Sequence, residues 1–321
     1  MEKELEQFSS FSVLINHIVE RYLQNVYCIA ILWSIAPAMY DGLPGIDYGQ
    51  IREVVDDKEL RYNQFVWINI ENESLESLER LIGDTVNLGC QAWLVSNEGV
   101  EAFLNIYGNV VDTTTKQRPQ KVHMIFSMDQ PTDDPIKTSR EIFSHRTLED
   151  VPNVLLIIPS TASTTSSALS LDDGKSFDLV TSSFVGRFNN TQPIFLDKFS
   201  VSSQNFTTAT HLFPDKLNNL QQRHLRLSLF NYKPYSTVQH VAPGMGNANA
   251  MTTEDELTLL IDGTESLMML EFCARHNCTL LISEDEEGQW GVIYENRTGN
   301  GLTGAVVERR AEVSIGAIYL W

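Results

Sequence analysis

The residues of this sequence best able to do chemistry are its histidines, a run of carboxylates, a set of glycines and a few aromatics between apolar runs. His145, His211, His224, His240 and His276 stand at no recognisable spacing from a cysteine or serine, and no Gly-x-Ser-x-Gly elbow is present. No cysteine or histidine spacing suggests zinc. Gly299-x-Gly301-x-x-Gly304 matches the dinucleotide fingerprint letter for letter, but no clear strand leads directly into it and no acidic residue sits about 20 residues on within this chain. Those glycines need only give a tight entry to a helix. Glu284-Asp-Glu-Glu287 could meet a cation, yet adjacent carboxylates on a turn usually point apart into water. No catalytic set, metal or cofactor emerges, so the expectation is a binding protein and not an enzyme.

What remains is aromatic. Tyr232, Tyr235 and Trp290 fall on loops next to strands. A phenol or indole face can stack on an amine or cover an apolar ligand. The same rings could plug a core, and the sequence leaves both readings open. In an open α/β sheet the ligand lies beyond the carboxyl ends of the strands, so what matters is which elements bring these loops together.

The pattern of elements is α/β. Helical spacing of Phe11, Leu14, Ile18 and Tyr22 predicts a helix over 4–25, and Cys28–Trp33 predicts a buried strand. Strands over 65–70, 91–95, 122–126, 154–158 and 177–180 alternate with helices over 74–82, 99–107 and 136–143. Gly42 to Asp47 and Pro159 to Lys175 read as loops, and regularity is poor from Gly186 to Asn219, which marks the domain boundary. Beyond it, Leu225–Phe230 reads as a strand, Tyr232-Lys-Pro-Tyr235 as a turn and Glu265–His276 as a helix. Leu280–Ser283, Trp290–Tyr294 and Val313–Tyr319 read as strands.

A chain of 321 residues with 20% charged and 42% hydrophobic residues is globular and long enough for two domains. Its 42 acidic residues against 23 basic ones give a net charge of -19, which disfavours nucleic acid and anionic lipid as partners. No apolar run is long enough to cross a membrane, and the acidic start Met1–Glu6 has no signal-like basic region. Taken alone, this reads as cytosolic. Against it stand five glycosylation sequons, at Asn72, Asn189, Asn205, Asn277 and Asn296. The four cysteines read first as buried thiols. Cys28 could also pair with Cys90, and Cys273 with Cys278 through local distortion.

Several segments carry a resemblance. Leu212-Phe-Pro-Asp-Lys-Leu217, Leu225 to Tyr235, Asp262-Gly-Thr-Glu265, Trp290 to Gly304 and Glu308-Arg-Arg-Ala-Glu312 together look like the opening of the ligand domain of an arthropod antennal ionotropic receptor, a variant ionotropic glutamate receptor. The likeness is specific over Leu212 to Trp321 and looser before it. It implies periplasmic-binding-protein-like parallel-sheet units in two lobes, the second incomplete: an amino-terminal domain over 1–210 and a truncated first segment of the ligand domain over 211–321. The implied function is the extracellular ligand-binding part of a chemosensory ligand-gated cation channel at the plasma membrane, the pore lying outside this chain. Its implied partners are a small-molecule ligand, amines among the candidates, and co-receptor subunits of a tetrameric channel.

The resemblance also implies roles. Pro234-Tyr235 matches the Pro-Tyr after the first strand, which puts Tyr232 where glutamate receptors carry a glutamate for the ligand amine. Trp290 takes the place of the aromatic that lids the ligand. Ala317 replaces a proline whose carbonyl holds the amine, and Tyr319 and Trp321 replace threonines. The arginine that clamps a carboxylate would fall about three residues past Trp321. These departures argue against glutamate as the ligand. The alternative is a free-standing soluble clamshell binding protein, against which stands the apolar end Ile315–Trp321.

Overall fold

The computed structural model describes residues 2–33, 64–70, 73–113, 121–128, 134–160, 176–188, 190–241, 250–252 and 258–318. The chain divides into two compact units, one of 1–184 with 191–214, the other of 185–190 with 215–321.

The first unit is built on an eight-stranded sheet in the order β2-β1-β3-β4-β5-β6-β7-β8. Its strands are β1 Cys28–Trp33, β2 Gln64–Asn69, β3 Ala92–Ser96, β4 His123–Ser127, β5 Asn153–Pro159, β6 Ser176–Ser182, β7 Pro193–Ser200 and β8 Asn205–Phe206. The pairs from β2 to β5 are parallel and those from β5 to β8 antiparallel. The fold is therefore mixed α/β and compatible with a periplasmic-binding-protein-like unit. Side-chain alternation divides the core between the two faces. Cys28, Ala30 and Leu32 of β1 join Leu78, Ile82 and Val86 of α2 (Leu75–Asn87) and Phe103, Leu104 and Tyr107 of α3 (Val100–Thr113). Ile29 and Ile31 turn to the other face and meet Phe11, Leu14 and Ile18 of α1 (Glu2–Tyr22). Helix α2 begins where the Ser74 side chain accepts the N–H of Ser77, and α4 (Pro135–Phe143) where Asp134 accepts that of Lys137.

The stretch read as irregular, 186–219, contains β7 and β8. Strand β7 was not legible because it exposes Ile194 and Phe195 while burying Asp197. Burial pushes the Asp197 carboxyl up. The N–H groups of Thr208, Lys198 and Thr210 and the Thr208 hydroxyl outweigh that and hold it below the usual carboxylate range. The cysteines are not free thiols: Cys28 is bonded to Cys90 and Cys273 to Cys278.

The second unit has two three-stranded sheets. Strands β10 (Thr237–Val241), β12 (Thr258–Asp262) and β11 (Ala250–Thr252) pair antiparallel. Strands β13 (Cys278–Glu284), β9 (Arg223–Leu229) and β14 (Val313–Ile315) pair parallel, with β9 in the centre. Helix α5 (Thr264–His276) leads into β13, and α6 (Gly301–Val307) precedes β14. The core joins Leu227 and Leu229 of β9, Leu259 and Ile261 of β12, Cys273, Leu280 and Ile315. The segment read as a strand from Trp290 is a turn with one bridge, Ile293 to Gly299. The last strand stops at Ile315, where the chain turns at Gly316. Among the described residues, no helix is long and apolar enough to cross a membrane.

Candidate functional site

Strand β9 is first in sequence, β13 lies on one side of it and β14 on the other. The connection therefore reverses direction between β9 and β14, and their carboxyl ends form the kind of switch point where open α/β sheets hold ligands. Phe230 and Tyr232 leave β9 at this edge, and Gly316 and Ala317 leave β14.

The tyrosine turn is closed by its own backbone. Tyr232 and Ser236 exchange backbone hydrogen bonds, Ser236 N–H donating to Tyr232 O at 3.0 Å and Tyr232 N–H to Ser236 O at 2.8 Å. The buried Ser236 hydroxyl donates to Phe230 O at 2.7 Å. Tyr232 and Tyr235 stack with centroids 5.9 Å apart and planes 10° from parallel. The turn is also the cap of α5: Thr264 N–H donates to Pro234 O at 3.1 Å and Glu265 N–H to Tyr235 O at 2.9 Å, so two orphan donors of the helix start are satisfied. Gly263 makes this approach possible, with φ at 103° and a would-be Cβ only 2.5 Å from Tyr235 O.

Trp290 arrives from the other side. Its Nε1–H donates to Gly316 O at 2.8 Å, and its ring meets Phe230 edge-on at 5.1 Å and Tyr232 at 5.0 Å. With 36% of its surface exposed, Trp290 is not a core plug. Its position depends on the glycine-rich loop. Leu302 N–H donates to Gln289 O at 2.8 Å and Thr303 N–H to Trp290 O at 3.0 Å. A Cβ on Gly301 would lie 2.5 Å from Gly288 O and one on Gly304 2.3 Å from Gly299 C. The fingerprint-like glycines are thus spent on close backbone packing into α6. Glu308 ties the loop from below: the Gly299 N–H and the Arg310 side chain hold its carboxyl below the usual range.

Helix α5 links the two sides. Glu265 Oε2 accepts the N–H of Gly316 at 2.8 Å and of Ala317 at 3.0 Å. Ala317 is buried and has φ at 53°, a conformation closed to proline, which would also lack the N–H that Glu265 accepts. The structure therefore brings Tyr232, Tyr235, Trp290 and Ala317 to one edge, while Tyr319 lies outside the described residues. Sequence reasoning missed Phe230 and the role of Glu265. The signal for Glu265 was an acid in the first turn after Asp262-Gly263, but its partners lie about 50 residues away.

The remaining candidates go elsewhere. Glu284 meets His240 at 2.8 Å, Asp285 accepts the N–H of Gly288, and Glu286 accepts from the backbone and side chain of Asn231, so the acidic run faces three partners. His145 bonds Asn105, and His276 bonds Leu217 O. Asn205, Asn277 and Asn296 are exposed, whereas Asn72 and Asn189 lie outside the described residues. A groove of about 750 Å³ runs along the outer face of α5, lined by Leu267, Met268, Phe272 and Arg275 among others. It touches the tyrosine turn at Pro234 but does not include Trp290 or Ala317.

Compared with protein-family models the chain finds no match, and compared with curated proteins it finds none either.

Proposed function

We propose that this chain is the extracellular ligand-binding part of a chemosensory ligand-gated cation channel of the ionotropic-receptor kind. The pore lies outside the chain, and partner subunits complete a tetramer. The observation that carries the reading is the convergence of Tyr232, Tyr235, Trp290 and Ala317 at the carboxyl edge of a parallel sheet where its strand order reverses. A small molecule stacked there would bridge the tyrosine turn and the Trp290 loop, and closing on it would move both relative to a second lobe. In this reading the protein binds and does not catalyse. Placement outside the cell is supported by two disulfides, which persist in oxidising compartments, and by exposed sequon asparagines at 205, 277 and 296.

The test is the transcript beyond codon 321. The receptor reading expects an arginine within a few residues and then three pore-forming apolar segments. A stop codon with no such sequence behind it contradicts the channel and favours a free-standing clamshell binding protein.

A further inference from the structure

Two exposed sequon asparagines of the second unit, Asn277 and Asn296, are held in opposite ways. Asn296 sits in a turn closed by the hydrogen bond from Tyr294 N–H to Thr298 O. Its Oδ1 accepts the Thr298 N–H at 3.2 Å and the Thr298 hydroxyl at 2.8 Å. Both sequon side chains thus meet in one exposed turn, with Nδ2, the atom that would take a sugar, turned to neither. Asn277, in the sequon Asn277-Cys278-Thr279, is locked. It ends α5 with φ 52° and ψ 54°, and its N–H donates to Cys273 O. Its carbonyl accepts the Gln222 N–H at 2.7 Å, and its Nδ2 donates to Asn219 Oδ1 at 2.9 Å. Cys278 and Thr279 already belong to β13, opposite Arg223 and His224 of β9. Cys278 is also bonded to Cys273, so the middle residue of the sequon is tied to the last turn of the helix before it. An enzyme that glycosylates a sequon must hold the asparagine amide and the threonine hydroxyl at once, which calls for a surface segment that can move. The turn at Asn296 is such a segment, and the corner at Asn277 is not.

We infer that the Cys273–Cys278 disulfide gates a modification: Asn277 takes an N-glycan only before the disulfide closes, whereas Asn296 stays an acceptor in the folded chain. This rests on the placement of the chain in an oxidising secretory compartment. The sugar donor is a lipid-linked oligosaccharide diphosphate. In the transfer the bond from the anomeric carbon to the diphosphate oxygen breaks, Nδ2 bonds to that carbon and loses a proton, and the lipid diphosphate leaves with the electron pair. The competing step is closure of the disulfide. Two thiols give two electrons and two protons to a disulfide-exchange oxidant, which becomes a dithiol. A glycan attached first is compatible with the fold, because Asn277 is exposed and its Nδ2 keeps one hydrogen for Asn219. It would stand next to His276, which lines the groove along α5.

The test carries the whole chain into the secretory lumen of cultured eukaryotic cells behind a cleavable leader. Occupancy at Asn277 and Asn296 is read by mass spectrometry of peptides deglycosylated enzymatically in heavy-oxygen water. Retained and secreted protein are pooled, so a variant that folds poorly is still read. The proteins compared are the wild type, Cys273→Ser, which leaves the sequon intact, and the double variant Cys28→Ser with Cys90→Ser, which removes the other disulfide. In the wild type Asn277 is expected at less than half the occupancy of Asn296. Cys273→Ser is expected to raise Asn277 at least twofold and leave Asn296 unchanged, and the double variant to raise Asn277 less than twofold. Wild-type occupancy at Asn277 of half that at Asn296 or more overturns the gate. So does a rise of less than twofold in Cys273→Ser. A twofold rise in the double variant as well assigns the effect to loss of folding in general and overturns the role of this disulfide. An empty Asn296 in the wild type overturns the contrast between the two turns. Because the leader supplies the compartment, each of these outcomes leaves the channel reading to the transcript test.

Discussion

Trp290 makes two kinds of contact with one side chain: its indole N–H fixes the turn after β14 while its ring packs on Phe230 and Tyr232. Trp290→Phe keeps a ring but forfeits the hydrogen bond and is expected to cost about 1 kcal/mol. Trp290→Ala also loses the contacts with Phe230 and Tyr232 and is expected to cost about 2 kcal/mol or more, read from urea unfolding curves. In the first unit, His123 gives a pH dependence with a definite sign. Burial, then the charge of Lys121, lowers its pKa from 6.5 to about 4, partly offset by a bond to the Gln91 backbone. The folded state thus keeps His123 neutral where the unfolded chain takes up a proton. Stability contributed by the neutral ring is complete above the unfolded value and is lost as pH falls from about 6.5 toward 4. Over that window the loss amounts to about 3 kcal/mol, and His123→Phe is expected to flatten it in denaturation curves taken at successive pH values.

At the scale of elements, the join between the tyrosine turn and α5 fixes the geometry of the candidate site. Gly263→Ala places a methyl against Tyr235 O and forces an L-residue to φ 103°. A loss of about 2 kcal/mol or more is expected, together with weakened benzylamine binding, because the turn and Glu265 move as one piece. The two disulfides differ in the loop they close, with sequence separations of 62 and 5. Replacing Cys28 and Cys90 by alanine is expected to cost about 4 kcal/mol, and replacing Cys273 and Cys278 about 2 kcal/mol, by chemical denaturation. These elements were unequally legible. Strands β1, β3 and β5 are near-continuous apolar runs because both faces of the sheet are covered, and the sequence announces them. Strand β7 presents Ile194 and Phe195 to solvent and buries Asp197, so it carries no clean period. The tyrosine turn was legible from Pro234 and the rings around it. Cysteine pairing was not, because spacing alone does not say which residues the fold brings within bonding reach.

At the scale of the whole molecule, two units with separate cores share a chain of net charge -19. The fold class was open to sequence reading because alternating apolar strands and amphipathic helices admit few arrangements. The site was only half open to it. Aromatic residues on loops could be singled out, but the bridge from Glu265 to Gly316 and Ala317 depends on β14 pairing beside β9, which no local pattern encodes. The central claim is that a small molecule binds at the β9–β14 edge and not in the apolar groove along α5. The most direct measurement is an NMR titration of the whole chain with benzylamine, following the Trp290 indole N–H and the backbone amides. The account predicts saturable shifts at Trp290 and at Phe230 to Tyr235, Gly316 and Ala317. Shifts confined to Leu267, Met268 and Phe272, or none at all, would contradict it.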